Sequence, residues 1–79
     1  MREISTKECH EKFGEFIRET RLNREYPLSQ VELAEKVGIT QTYLSRLERG
    51  ERNIDLDLAL KLCDVLSVDI RKFILLYMR

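Results

Sequence analysis

The side chains best suited to chemistry in this 79-residue chain stand close together: Gln41, Thr42, Ser45 and Arg46. All four form hydrogen bonds, and none is paired with a base that would make a nucleophile of it. Apolar residues recur around them at helical spacing, so the four share the exposed face of one short helix. Such a face binds a partner by hydrogen bonding and does not transfer groups. Elsewhere the chain offers little reactive chemistry. His10 is a lone histidine beside Cys9 and reads as a surface or packing residue. Cys9 and Cys63 are isolated and lack metal-ligand spacing, so they read as small buried hydrophobes. With no metal cluster and no glycine-rich phosphate loop, neither an enzyme nor a bound cofactor is expected.

Composition narrows the class. The chain is 43% hydrophobic and 35% charged, too apolar for disorder and too charged for a membrane protein. Its longest apolar run, residues 73–78, is far too short to span a bilayer. A single domain over residues 1–79, in the cytoplasm with reduced thiols, is the expectation. The 14 basic and 14 acidic residues cancel. They also cancel piecewise: six of each sign in residues 1–28, four of each in 29–54 and four of each in 55–79. Zero net charge weighs against nucleic-acid binding, so a basic face would have to be made by folding.

Few glycines and a single proline favour helices, and the periodicity gives five. The first covers residues 6–24, opened by a capping box of Ser5 and Glu8. Its buried stripe is Cys9, Phe13, Phe16, Ile17 and Thr20. Pro27 stops it by pushing Tyr26 out of the α region. The second covers 30–37, with Ser29 and Glu32 as a second capping box. Leu33, Ala34 and Val37 point inward, and Gly38 suits a left-handed cap. The third covers 41–49 between Thr40 as N-cap and Gly50, with Leu44 and Leu47 inward. The fourth covers 56–66 behind Asp55 and is apolar nearly all round, the pattern of a central helix. The fifth covers 70–77 behind Asp69, with a stripe of Ile70, Phe73, Ile74 and Tyr77. The fold class is therefore all-α.

The second and third helices form the informative unit. Ala34 is small where two helices must cross closely. Gly38 sits in the turn, Ile39 fills the corner, and Leu44 and Leu47 hold the third helix to the core. That spacing, residues 29–49, is a helix-turn-helix, whose second helix enters the major groove of DNA. The whole stretch 28–50 resembles the lambda/434 repressor and Cro class of DNA-binding domains, also called the XRE family. Gln30, Ala34, Gly38, Leu44, Leu47, Glu48 and Gly50 all fall at family positions. The resemblance covers nearly the whole chain and implies a compact five-helix, lambda repressor-like domain. Size and a hydrophobic last helix also resemble the controller proteins of restriction–modification systems.

The resemblance implies roles residue by residue. Gln41 and Thr42 stand where the family reads base edges; a Gln can bond adenine bidentately and a Thr methyl can meet a thymine methyl. Ser45 and Arg46 lie one turn further along, and Arg46 can take guanine O6 and N7. Gln30 stands where the family touches phosphate and supports the reading helix. Thr40 and Tyr43 are expected at phosphates, with Arg49 and Arg52 positioning the domain on the backbone. Arg21 and Glu48 match a family salt bridge between the first and third helices, which would also remove Glu48 as a repulsive charge. Two positions depart from the pattern. The joint 23–28 is longer than in the phage repressors, and Ile54 stands where relatives often have proline.

One helix-turn-helix makes few base contacts, so a homodimer on a pseudo-palindromic operator is expected, with half-sites roughly 34 Å apart. Phe73, Ile74, Leu76 and Tyr77 on the last helix have two readings, completion of the core or, as the preferred one, the dimer interface, and no room for an effector domain is expected beyond that helix. Double-stranded DNA is the expected partner, and a repressor the family's default. Activation through RNA polymerase is the other outcome of the same binding. An antitoxin or other protein-binding module of the same fold is the competing reading, in which the last helices would hold a toxin-like protein.

Overall fold

The computed structural model of the protein describes residues 6–77, with side-chain surroundings for 7–76. Five helices follow one another: α1 (Thr6–Leu22), α2 (Gln30–Val37), α3 (Gln41–Glu48), α4 (Leu56–Val65) and α5 (Ile70–Tyr77). The all-α expectation holds. Ser5, and with it the first capping box, lies outside the described residues.

The helix ends follow local hydrogen-bonding chemistry. Ser29 Oγ accepts from the Glu32 N–H, while the Glu32 carboxylate accepts from the Ser29 N–H, each at 3.0 Å. Asp55 caps α4 by accepting from the Leu58 N–H at 2.8 Å. Gly38 closes α2 at φ 80° and Gly50 follows α3 at φ 76°, the left-handed region where a side chain is penalised. Ser67 adopts the same conformation after α4, at φ 56°. There the Val68 N–H returns to the Cys63 carbonyl at 2.9 Å.

α1 ends two residues earlier than the sequence pattern suggests, at Leu22. The last helical bond runs from the Asn23 N–H to the Glu19 carbonyl, after which the chain bends before Pro27. The long joint is then tied back. Leu28 N–H reaches the Arg21 carbonyl at 3.3 Å, and Arg21 Nη1 donates to the Leu28 carbonyl at 3.0 Å. Ile54, which the family resemblance set against a proline, makes a backbone contact of its own. Its N–H donates to His10 Nδ1 at 3.3 Å, a bond that proline could not make. His10 is thus a half-buried packing residue that ties α1 to the loop before α4.

The core is drawn from all five helices. Ile17, Leu33, Leu44 and Leu62 are its most enclosed side chains. Phe13, Phe16 and Phe73 form an aromatic cluster, with Phe73 set edge-on to Phe13 at 5.0 Å between centroids. Cys63 is buried among them, and burial pushes its thiol up from its ordinary range, with Asp69 adding to the shift.

Two expectations about the last helices are corrected. α4 is not buried all round: it hides Ala59, Leu62 and Cys63, while Leu56 and Leu60 face solvent. Phe73 is not a surface residue. It is 4% exposed and completes this protomer's own core, because the aromatic cluster needs its ring. The outer face of α5 instead carries Ile74, Leu75 and Leu76, each about half-exposed or more. The side chain of Tyr77 lies outside those described. Among the described residues no helix is long and apolar enough to cross a membrane.

Candidate nucleic-acid interface

α3 owes its position to contacts at both ends. At its start, Thr40 Oγ1 accepts from the Tyr43 N–H at 3.1 Å, which leaves the Thr40 hydroxyl hydrogen for an outside acceptor. Leu44 and Leu47 anchor its inner side. At its end, α1 passes so close that a Cβ on Gly14 would stand 2.1 Å from the Leu47 carbonyl oxygen. Gly14 was not singled out from sequence, yet an isolated glycine inside a helical pattern carries a signal. It costs roughly 1 kcal/mol against alanine, so it calls for a packing reason. That reason is the seating of α3.

A hydrogen-bonded chain then runs from α1 to the outer face of α3. Arg21 binds Glu48 through two parallel bonds, Nε to Oε2 at 2.8 Å and Nη2 to Oε1 at 2.9 Å. Both residues are buried. Glu48 Oε1 also accepts from Gln30 Nε2 at 2.9 Å. Gln30 Oε1 in turn accepts from Gln41 Nε2 at 2.7 Å. The charge on Glu48 sets the direction of every link. A carboxylate only accepts, so Gln30 must turn its NH2 toward Glu48 and its carbonyl toward Gln41. Gln41 must then offer an N–H. This leaves Gln41 with its carbonyl oxygen and one amide hydrogen for a partner, the pair that matches adenine N6 and N7.

The remaining sequence-predicted residues gather around this chain. Gln41, Thr42 and Arg46 are exposed, and Ser45 is half-buried beside them. Half-buried Tyr43 lies under the Arg52 guanidinium, 5.3 Å from ring centroid to carbon, a cation–π contact that holds Arg52 near the end of α3. Arg49 is exposed but shares its Nε with Glu51 at 2.9 Å, so its charge is partly offset where it was expected to meet phosphate. Glu48 is withdrawn behind Arg21, while Arg46 and Arg52 remain outside.

The same stretch carries a family signature: a helix-turn-helix family model matches residues 17–73. The chain belongs to that family. This helix-turn-helix protein is 39% identical over 56 residues to the control protein C.BamHI of Bacillus amyloliquefaciens, covering 71% of this chain and 68% of that one. Its fold is similar to crystal structures of the clp gene regulator ClgR from Corynebacterium glutamicum. One superposes with a TM-score of 0.78 at 27% identity, covering 85% of this chain and 69% of that one. A second gives the same score and identity and covers 83% of the other chain. The helix-turn-helix protein is thus a DNA-binding transcriptional regulator of the XRE, lambda repressor-like type.

Proposed function

We propose that the protein binds a pseudo-palindromic operator as a homodimer, with α3 of each protomer in the major groove. Gln41, Thr42, Ser45 and Arg46 read bases. Gln30, Thr40, Tyr43, Arg49 and Arg52 set register on phosphates, and the Arg21–Glu48 pair holds α3 in place. The observation that carries this reading is the directed chain from Arg21 to Gln41, which presents an amide of fixed polarity on an exposed helix. The cation–π contact gives Arg52 a similar preorganisation, though as a point of backbone contact.

The dimer is supported by the exposed apolar surface of α5, where Leu75 is the most exposed and Ile74 and Leu76 flank it. On the Ile74 side lies a cleft of about 290 Å³ lined by Ile54, Leu56, Ala59, Ile70 and Ile74. Leu56 is 66% exposed in one protomer, an apolar surface that a two-fold copy would cover. Because Phe73 belongs to the core, the contact is assigned to Ile74 and Leu76, with Leu56 added. Control of a restriction–modification operon is the regulatory setting that the likeness to C.BamHI supports.

Sedimentation of the free protein and of its complex with a selected duplex tests the reading. Two protomers per site, converted to monomers by Ile74→Glu, is the expected result. A chain that stays monomeric alone and on DNA would overturn the dimer. It would transfer the apolar face to a different protein, as an antitoxin would use it.

A further inference from the structure

A second cleft opens between the end of α1, the turn after α4, and α5. It is an open groove of about 310 Å³, a volume at the lower end of the range of small-molecule sites. Phe16, Leu66 and Leu76 give it apolar walls, while two cations, Arg24 and Lys72, one carboxylate, Glu19, and the Ser67 hydroxyl supply its charged and polar lining.

Two independent features of this cleft are left unexplained by folding alone. The first is Arg24. Its Nη1 is buried and has no hydrogen-bond partner among the described residues. A buried charged donor without an acceptor is costly, and such groups call for a specific reason. The second is Ser67. It holds a positive φ of 56° where glycine would serve the turn better. The fold forgoes that gain and keeps a hydroxyl at the cleft's edge. Strain retained in this way is a mark of functional positions.

We propose that this cleft binds a small organic anion with an apolar body, of the aromatic or branched carboxylate class. Its carboxylate accepts from Arg24 Nη1, with Lys72 as a second positive charge and Ser67 as a hydroxyl donor. Its body lies against Phe16, Leu66 and Leu76. Leu76 also stands on the face of α5 assigned above to the dimer. A bound anion would therefore touch the element that joins the protomers, which makes it an effector of DNA binding. That last link rests on the proposed dimer, whereas binding of the anion does not.

Benzoate is a suitable probe, with benzamide as its uncharged counterpart, titrated into the full chain and followed by amide NMR shifts. Benzoate is expected to move the signals of Thr20, Asn23, Ser67 and Val68 in a saturable way and to bind about tenfold tighter than benzamide. That factor is the worth of one charge-assisted hydrogen bond. Arg24→Gln should lose the same factor while keeping the wild-type spectrum elsewhere. Ser67→Gly should weaken benzoate while raising the unfolding midpoint. Equal binding of benzoate and benzamide would overturn the proposal, as would shifts that fall outside the cleft. Glu19 also lines the cleft and is its competing occupant. If Glu19→Gln destabilises the free protein and benzoate still fails to bind, Arg24 belongs to Glu19 and the cleft is structural. Failure of Ile74→Glu to change the oligomeric state, with benzoate still bound, removes only the link to dimerisation.

Discussion

Gln41 donates to Gln30 at 2.7 Å, and the direction of that bond is dictated by the buried carboxylate of Glu48. An amide on a free surface could rotate and offer either end to a base. Here the rotation is decided before DNA arrives, which spares side-chain ordering at the moment of binding. Gln30→Ala is therefore expected to reach beyond its own phosphate contact. Discrimination at the base pair read by Gln41 should fall by about 1–3 kcal/mol, the worth of a bidentate amide–adenine pair. Competition between matched and single-substituted duplexes at one salt concentration checks this. Uniform weakening across all duplexes would confine Gln30 to the backbone.

Arg21 and Glu48 are both 6% exposed, so removing one leaves the other charged and buried. Glu48→Ala should lower unfolding stability by about 3–5 kcal/mol. A paired Arg21→Met/Glu48→Leu replacement should recover most of that loss, because hydrophobic pairs often match buried ion pairs in stability. The double variant should still bind DNA poorly, since Gln30 loses the acceptor that orients it. Urea titration and operator binding separate the two effects.

Positions of positive or crowded backbone separate space from conformation. At Gly38 a Cβ meets nothing within 4 Å, so Gly38→Ala should cost only the left-handed conformation, about 1–2 kcal/mol. At Gly14 the added carbon strikes the Leu47 carbonyl. Despite the better helix propensity of alanine, Gly14→Ala should destabilise by about 1–3 kcal/mol and displace α3. DNA binding should suffer from the Gly14 change beyond its effect on stability, and from the Gly38 change only in proportion to it. Ser67→Gly should stabilise by roughly 0.5–1 kcal/mol, since relief of the left-handed conformation outweighs the added freedom of the unfolded chain.

The second capping box titrates. Hydrogen bonds from the backbone and then the hydroxyl of Ser29 hold the Glu32 carboxyl below its ordinary value, with Lys36 adding to the shift. A depressed carboxyl contributes stability in full above its unfolded value and loses it as pH falls through the folded one. Glu32→Gln keeps a capping acceptor but does not titrate. Wild type should therefore be the more stable at neutral pH, with its advantage fading as the medium is acidified and Glu32 takes up its proton. A pH-independent difference between the two would show that charge plays no part in the cap.

Much of this architecture was legible in the sequence because it is local. Ser29 with Glu32, Thr40 and Asp55 announce helix starts through side chains that reach only three residues, and Gly38 and Gly50 announce ends. The exposed face of α3 followed from the same periodicity. What escaped was long-range. The close approach of α1 and α3 depends on Gly14, whose meaning appears only when the Leu47 carbonyl lies against it. The joining of Gln30 to Gln41 required knowing which amide ends face each other. Phe73 was misplaced for a similar reason. Periodicity shows that a residue is apolar and on a stripe, but not whether its own core or a second copy receives it. The exposure of Leu56 and Leu60 escaped because an apolar helix in a small domain runs out of neighbours before it runs out of apolar residues.

The central claim is that α3 reads sequence through Gln41 and Arg46 in a two-fold arrangement. Selection from random duplex DNA at one fixed salt concentration, with wild type and a Gln41→Ala/Arg46→Ala double variant, tests it most directly. Enrichment of a two-fold symmetric motif by wild type, with half-site preference lost in the variant, is the result predicted. The same motif emerging from both proteins, or no motif from wild type above non-specific binding, would contradict it.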